Sequence, residues 1–258
     1  MVAIARSTAS SRVALAGPPD APAIVFVHGT RLTSAAWLPQ QTALGDEFRT
    51  IAIDLPAHGM RASEAFTLER AEDVLSGAIR EHASGGRAIV VGLSLGGYVA
   101  MSLAAHEPEL VRGLVVSGAT AEPVGLRSLA YLGFAGVMER IDDERLDWLN
   151  TWFFRARFPP AISEPIIAGG FWSVGGASAL RAIVGERFIP RLAAYPGSTL
   201  IINGEFDLGF RLWAPAFAAA ARDARRVRLA GATHLANLDR PAAFSEAVRR
   251  FARSIEED

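Results

Sequence analysis

Residues 88–97 read Ala88-Ile89-Val90-Val91-Gly92-Leu93-Ser94-Leu95-Gly96-Gly97, an apolar run of strand length that ends in a serine set between glycines. A turn from strand to helix this tight forces the serine backbone into a sparsely populated conformation. It also leaves no room for a Cβ two residues to either side. The stretch therefore predicts a strand, a nucleophile elbow at Ser94 and a helix beginning directly after it. A turn rich in small residues can also be only a turn, so the serine needs partners elsewhere in the chain.

Working outward, similar apolar runs recur at residues 23–27, 50–53, 114–117, 199–202 and 226–229. Most are continuous and not alternating, the pattern of strands buried on both faces. Residues 66–81, 97–106, 212–222 and 241–253 have helical length, and the first carries Leu68, Ala71, Val74, Leu75, Ala78 and Ile79 at helical spacing. Strand and helix alternate, which predicts an α/β fold with a mostly parallel central sheet and helices on both faces.

Residues 121–196 break this rhythm. They hold no strand-like run, yet contain three of the five tryptophans, Trp148, Trp152 and Trp172, and six of the fourteen phenylalanines. We read an α/β core of residues 1–120 and 197–258 interrupted by a helical cap at 121–196. Ligands of open α/β sheets bind outside the carboxyl ends of the strands. Trp148, Trp152, Phe153 and Trp172 are therefore expected at a substrate pocket. The other reading is an extra helical layer that buries its aromatics for stability.

Composition narrows the chemistry. With 26 basic and 27 acidic residues the net charge is −1, so the electrostatic footprint of a nucleic-acid binder is absent. The apolar runs are too short to span a bilayer, and no membrane or nucleic-acid partner is expected. There is no cysteine, which excludes disulfides, thiolate metal sites and a cysteine nucleophile together. Residues 1–17 lack the continuous apolar core of a signal peptide, and the expectation is mature, cytoplasmic sequence. Oligomeric state is not legible.

A serine hydroxyl becomes an effective nucleophile when a histidine takes its proton and a carboxylate orients that histidine. Five histidines compete. His28 and His58 lie in loops upstream of the serine, and His82 and His106 fall near helix ends. His234, in Gly231-Ala232-Thr233-His234, follows the last apolar run and precedes the final helix, so a loop carries it to the carboxyl edge of the sheet. For the acid, Asn203-Gly204-Glu205-Phe206-Asp207 follows the run at 199–202, and Asp207 or Glu205 fits; Glu122 is a weaker third choice. The order serine, acid, histidine is that of one fold only among the common triads. The oxyanion formed on attack needs N–H donors, expected from the amides of Leu95 and Thr30, with His28 bracing the Gly29-Thr30 loop.

These motifs resemble the α/β-hydrolase family, in particular its capped serine-hydrolase branch, over nearly the whole chain. His28-Gly29 is similar to the oxyanion-loop motif, Asp54-Leu55-Pro56-Ala57-His58-Gly59 to the D-x-P-G-H-G loop, and Gly92 to Gly97 to the elbow. His106-Glu107-Pro108-Glu109-Leu110-Val111 resembles the segment after the elbow helix. Gly204-Glu205-Phe206-Asp207 is similar to the acid motif, whose fourth position favours Asp207. Gly231-Ala232-Thr233-His234 resembles the base motif. Two departures stand out: Ala57 where the family has glycine, and Met60-Arg61 where polar residues are usual.

The resemblance implies a serine hydrolase that cleaves an ester or lactone of a small, largely apolar substrate, with Ser94, Asp207 and His234 as triad and no metal or organic cofactor. Carbon–carbon bond hydrolysis of a vinylogous diketone, a slow-turnover ligand receptor, and a lyase using serine and histidine for acid–base work are the alternatives. Arg155 and Arg157 are either the partners of a substrate carboxylate or the solvated face of a helix.

Overall fold

Seven strands, β1 (Val13–Ala16), β2 (Ala23–Val27), β3 (Arg49–Ile53), β4 (Ala88–Leu93), β5 (Val111–Ser117), β6 (Ser198–Gly204) and β7 (Asp223–Leu229), form one sheet in the order β1-β3-β2-β4-β5-β6-β7. Only β1 runs antiparallel, paired with β3; every other pairing is parallel. The structure is a computed structural model and describes residues 13–141 and 143–256. The N-terminal segment read as mature sequence lies, through residue 12, outside the described residues.

The continuous apolar runs follow from burial of both sheet faces. In β2, Val25 and Val27 pack with Leu75, Ile79 and Tyr98 on one face. Ile24 and Phe26 pack with Trp37, Phe244 and Val248 on the other. β4 divides in the same way, Val90 to the first face and Ile89 and Val91 to the second. Side chains alternate across a strand, so a strand with apolar neighbours on both sides has no polar position to spare.

The helices are α1 (Leu38–Leu44), α2 (Leu68–His82), α3 (Leu95–His106), α4 (Ser128–Arg140), α5 (Asp143–Arg157), α6 (Pro160–Gly169), α7 (Ser173–Ile183), α8 (Phe188–Ala194), α9 (Leu208–Arg211), α10 (Ala214–Ala220), α11 (Ala236–Asp239) and α12 (Pro241–Glu256). Helices α2 and α3 cover one face of the sheet, α1 and α12 the other. Thr67 caps α2, its side-chain oxygen accepting from Arg70 N–H at 3.0 Å. Five helices, α4 to α8, lie between β5 and β6, with no strand among the described residues of that stretch. No single helix among the described residues is long and apolar enough to cross a membrane.

One strand escapes the sequence pattern and another begins earlier than it predicts. β1 is a four-residue, half-buried edge strand, too short for periodicity to register. β7 begins at Asp223, three residues before its apolar run, because Arg225, Arg226 and Arg228 belong to an exposed edge. Charged residues on an edge strand block pairing with another chain. They also shorten the run legible in the sequence to residues 226–229.

Parallel strands put their carboxyl ends on one edge. The loops after β2, β4, β6 and β7 carry Thr30, Ser94, Asp207 and His234 respectively, so the topology brings four distant stretches of sequence to one side of the sheet.

Candidate active site

Ser94 adopts φ 51° and ψ −117°, a conformation that costs a residue with a Cβ roughly 1–3 kcal/mol. The turn is held from both sides. Ser94 N–H donates to Ser117 O at 2.8 Å, extending the β4–β5 ladder, and Ser94 O accepts from Gly97 N–H at 2.9 Å. A Cβ on Gly92 would lie 2.3 Å from Gly96 O, and one on Gly96 would lie 2.2 Å from Val27 O. Strand, helix and the neighbouring loop thus approach closer than any side chain permits. Leu95 is the first residue of α3, where an amide has no intrahelical acceptor.

The carboxylate and the histidine meet directly. Asp207 Oδ2 lies 3.1 Å from His234 Nδ1, and the aspartate is 7% exposed. With the carboxylate accepting, Nδ1 carries the proton and Nε2 is left as the basic nitrogen. Phe210 stacks on the imidazole at 4.8 Å between ring centroids. On another side a Cβ on Gly118 would fall 2.8 Å from His234 Cε1, so the residue after β5 must be glycine for the ring to sit there. Glu205, the competing acid, instead accepts from Gly231 N–H at 2.9 Å. Glu122 accepts from the amides of Phe188 and Ile189 at the start of α8, at 2.9 and 2.5 Å. Ser94 Oγ makes no hydrogen bond among the described residues.

The Gly29-Thr30 loop stands beside the elbow: a Cβ on Gly29 would lie 3.3 Å from Ser94 Cβ. Two buried histidines hold it. His28 Nε2 accepts from Leu55 N–H at 2.9 Å, with Nδ1 2.8 Å from Gly29 O. His58 Nε2 accepts from Arg31 N–H at 3.3 Å, with Nδ1 2.9 Å from Pro56 O. Burial lowers both imidazoles, and with the added repulsion of His28 takes His58 from 6.5 to about 3. Asp54 completes the brace, accepting from Ser34 N–H at 2.7 Å and Met60 N–H at 2.9 Å.

Ser94, His234, Gly29 and Thr30 line one cavity of about 590 Å³, together with Arg127, Ala130, Tyr131 and Phe134 of the α4 region and Asn150, Phe153 and Phe154 of α5. Of the four aromatics expected there, Phe153 lines it and three do not. Trp148 and Trp152 are 69% and 59% exposed. They stand four residues apart on one side of α5, while Asn150, Phe153 and Phe154 project from the opposite side. Trp172 faces a separate depression with Ala57 and Phe66. There its N–H donates to Arg31 O at 3.0 Å and its indole N–H to Gly169 O at 3.1 Å. Arg155 and Arg157 are paired within the protein, with Glu164 at 2.8 Å and Asp239 at 2.7 Å.

The model of the alpha/beta hydrolase family matches residues 24–247. The chain belongs to the alpha/beta hydrolase family. It is 27% identical over 258 residues to 3-oxoadipate enol-lactonase 1 of Acinetobacter baylyi, covering 95% of this chain and 93% of that protein. It is 32% identical over 120 residues to carboxylesterase YbfK of Bacillus subtilis, covering 43% of this chain and 38% of that one. The fold is similar to the crystal structure of the enol-lactonase from Burkholderia xenovorans LB400, with a TM-score of 0.78, 24% identity, and 93% and 95% of the two chains covered.

Several cavity residues of this hydrolase were not singled out from sequence. Arg127, Ala130, Tyr131 and Phe134 follow an i, i+3, i+4, i+7 spacing, so the face α4 turns to the cavity was legible as a stripe. Arg31 follows the Gly29-Thr30 loop directly, at φ 67°, and its position beside Thr30 was the only signal. Gly118 carried none beyond its place at the end of a strand.

Proposed function

We propose that this hydrolase cleaves carboxylic esters or lactones of small, largely apolar molecules through an acyl-enzyme on Ser94. His234, paired with Asp207 and lining one cavity with a serine at φ 51°, carries this reading. In the proposed reaction His234 Nε2 takes the Ser94 proton as Oγ attacks the carbonyl carbon. The tetrahedral oxyanion is held by the amides of Thr30 and Leu95. The proton then passes from His234 to the leaving oxygen as the carbon–oxygen bond breaks. Water, deprotonated by the same nitrogen, attacks the acyl carbon, and collapse returns the proton to Ser94 and releases the acid. Asp207 fixes the tautomer and stabilises the imidazolium.

Residues 121–196 act in this reading as a helical cap on a core of residues 1–120 and 197–258. The placing of α4 and α5 residues in one cavity with Ser94 supports it, as do the ring walls of Phe153, Phe154, Phe134 and Phe210. The activities for which the enol-lactonase and the carboxylesterase are named support the ester and lactone bond as target. A panel of p-nitrophenyl esters and small lactones tests it. Wild type turns over members of the panel, and Ser94→Ala loses at least about a thousandfold in kcat while keeping its thermal midpoint. Unchanged turnover in Ser94→Ala sinks the proposal.

A further inference from the structure

Arg155, Arg157, Arg181 and Arg191 each pair with a carboxylate of the protein, at 2.8, 2.7, 2.6 and 2.5 Å. The two arginines that line the cavity do not. Among the described residues no ion pair joins a carboxylate to Arg31 or Arg127, whose hydrogen bonds go to Asn150 Oδ1 and Glu122 O, and the charge of Asp147 acts on Arg31 against the effect of burial. Arg127 gives its Nε–H to Glu122 O at 3.1 Å and stacks on the Trp213 ring at 4.3 Å.

Arg31 is the more constrained of the two. Its backbone is fixed at a left-handed φ of 67° by His58 on the amide and Trp172 on the carbonyl. Its guanidinium gives one N–H to Asn150 Oδ1 at 3.1 Å and lies 5.8 Å from the Phe134 ring centroid. A Cβ on Gly176 would fall 2.7 Å from Arg31 Cγ, so the stem is walled in as well. Burial lowers its pKa. Two further polar atoms of cavity-lining residues, Thr30 Oγ1 and Asn150 Nδ2, are buried with no partner among the described residues. Holding a desolvated cation, an unmatched amide and an unmatched hydroxyl together in a mainly apolar cavity is costly unless an anion completes the set.

We propose that the ester or lactone turned over at this site carries a carboxylate, seated on Arg31 with Asn150 beside it, and that Arg127 adds positive potential from the start of α4. The proposal rests on the hydrolase reading above and specifies its substrate class. A guanidinium presents paired N–H groups that match a carboxylate, whereas the phenyl walls accommodate the remainder of the molecule. Arg31 adjoins Thr30, so the anion is received next to the oxyanion donors and fixes the carbonyl relative to Ser94.

The test compares kcat/KM for matched ester pairs. One pair is mono-p-nitrophenyl glutarate against p-nitrophenyl pentanoate; the other is 3-carboxyphenyl butyrate against phenyl butyrate. Wild type is expected to prefer the carboxylate member of at least one pair roughly tenfold or more, the scale of a charged hydrogen bond. Arg31→Gln is expected to lower that ratio at least tenfold, and Arg31→Lys to retain the larger part of it. Asn150→Asp keeps the shape of the side chain and supplies Arg31 with an internal carboxylate, so its ratio falls towards one even if Arg31→Gln does not fold. Arg127→Gln lowers the ratio less than Arg31→Gln, because it acts through the field alone. A wild-type ratio below tenfold in both pairs overturns the proposal, as does a preference that survives Arg31→Gln or Asn150→Asp. Failure of wild type to hydrolyse any of the four esters, or turnover that persists in Ser94→Ala, counts against the hydrolase reading itself.

Discussion

Asp207 Oδ2 and His234 Nδ1 lie 3.1 Å apart on loops that follow the adjacent parallel strands β6 and β7. The contact fixes which nitrogen of the imidazole is basic. Asp207→Asn keeps the shape of the side chain but offers an N–H where the histidine needs an acceptor, so the ring is held in the wrong tautomer. Steady-state kinetics on a p-nitrophenyl ester should show kcat reduced by about 10³–10⁴-fold, with the thermal midpoint little changed. A loss below tenfold would show that another group orients His234.

The elbow sets steric limits that stability measurements can read. Gly92→Ala places a methyl 2.3 Å from Gly96 O, and neither backbone segment can yield without shifting a central strand or its helix. Its cost should be about 3 kcal/mol or more. Gly77 provides the contrast: it lies in α2, and a Cβ there meets nothing within 4 Å. Gly77→Ala should stabilise by about 0.5–1 kcal/mol, the helix-propensity difference. Urea unfolding midpoints check both, and equal effects of the two substitutions would refute the steric account.

The histidines that brace the Gly29-Thr30 loop imply an acid limit on stability. Burial, with repulsion from His28, lowers His58 from 6.5 to about 3, so the native state keeps it neutral over a range in which the unfolded chain binds a proton. As pH falls from 6.5 towards 3 the unfolded state gains, and stability drops by about 1.4 kcal/mol per pH unit from this group. Above pH 6.5 the contribution is constant. His28, lowered by burial as well, acts in the same direction. Thermal midpoints at pH 7, 6, 5 and 4 should fall more steeply for wild type than for His58→Gln. Parallel slopes would remove His58 from this role.

Most of the frame was legible because buried parallel strands leave apolar runs, continuous in β2 to β6 and interrupted by arginines in β7. The elbow was legible because one sharp turn demands glycine at fixed offsets from Ser94. Less was legible where position depends on the face a helix turns inward. Trp148 and Trp152 have the size and spacing of pocket residues, but α5 is rotated so that Phe153 and Asn150 meet the cavity and the tryptophans meet solvent. Nothing local to those residues encodes that rotation. It follows from Phe154 and Phe158 packing against Phe171, Leu32 and Leu238, contacts that only the tertiary structure creates. Ala57 is a further case: it holds φ 64°, a left-handed conformation where glycine is at ease, at the position where the motif it resembles has glycine.

On the proposed mechanism Ser94 forms a covalent intermediate, and a fluorophosphonate probe reads it without a substrate having to be known. Intact-protein mass spectrometry of wild type should show a single adduct, mapped by peptide analysis to Ser94. Ser94→Ala should show none, and Asp207→Asn should acquire the adduct far more slowly. An unmodified wild type, or an adduct that persists in Ser94→Ala, would contradict the account.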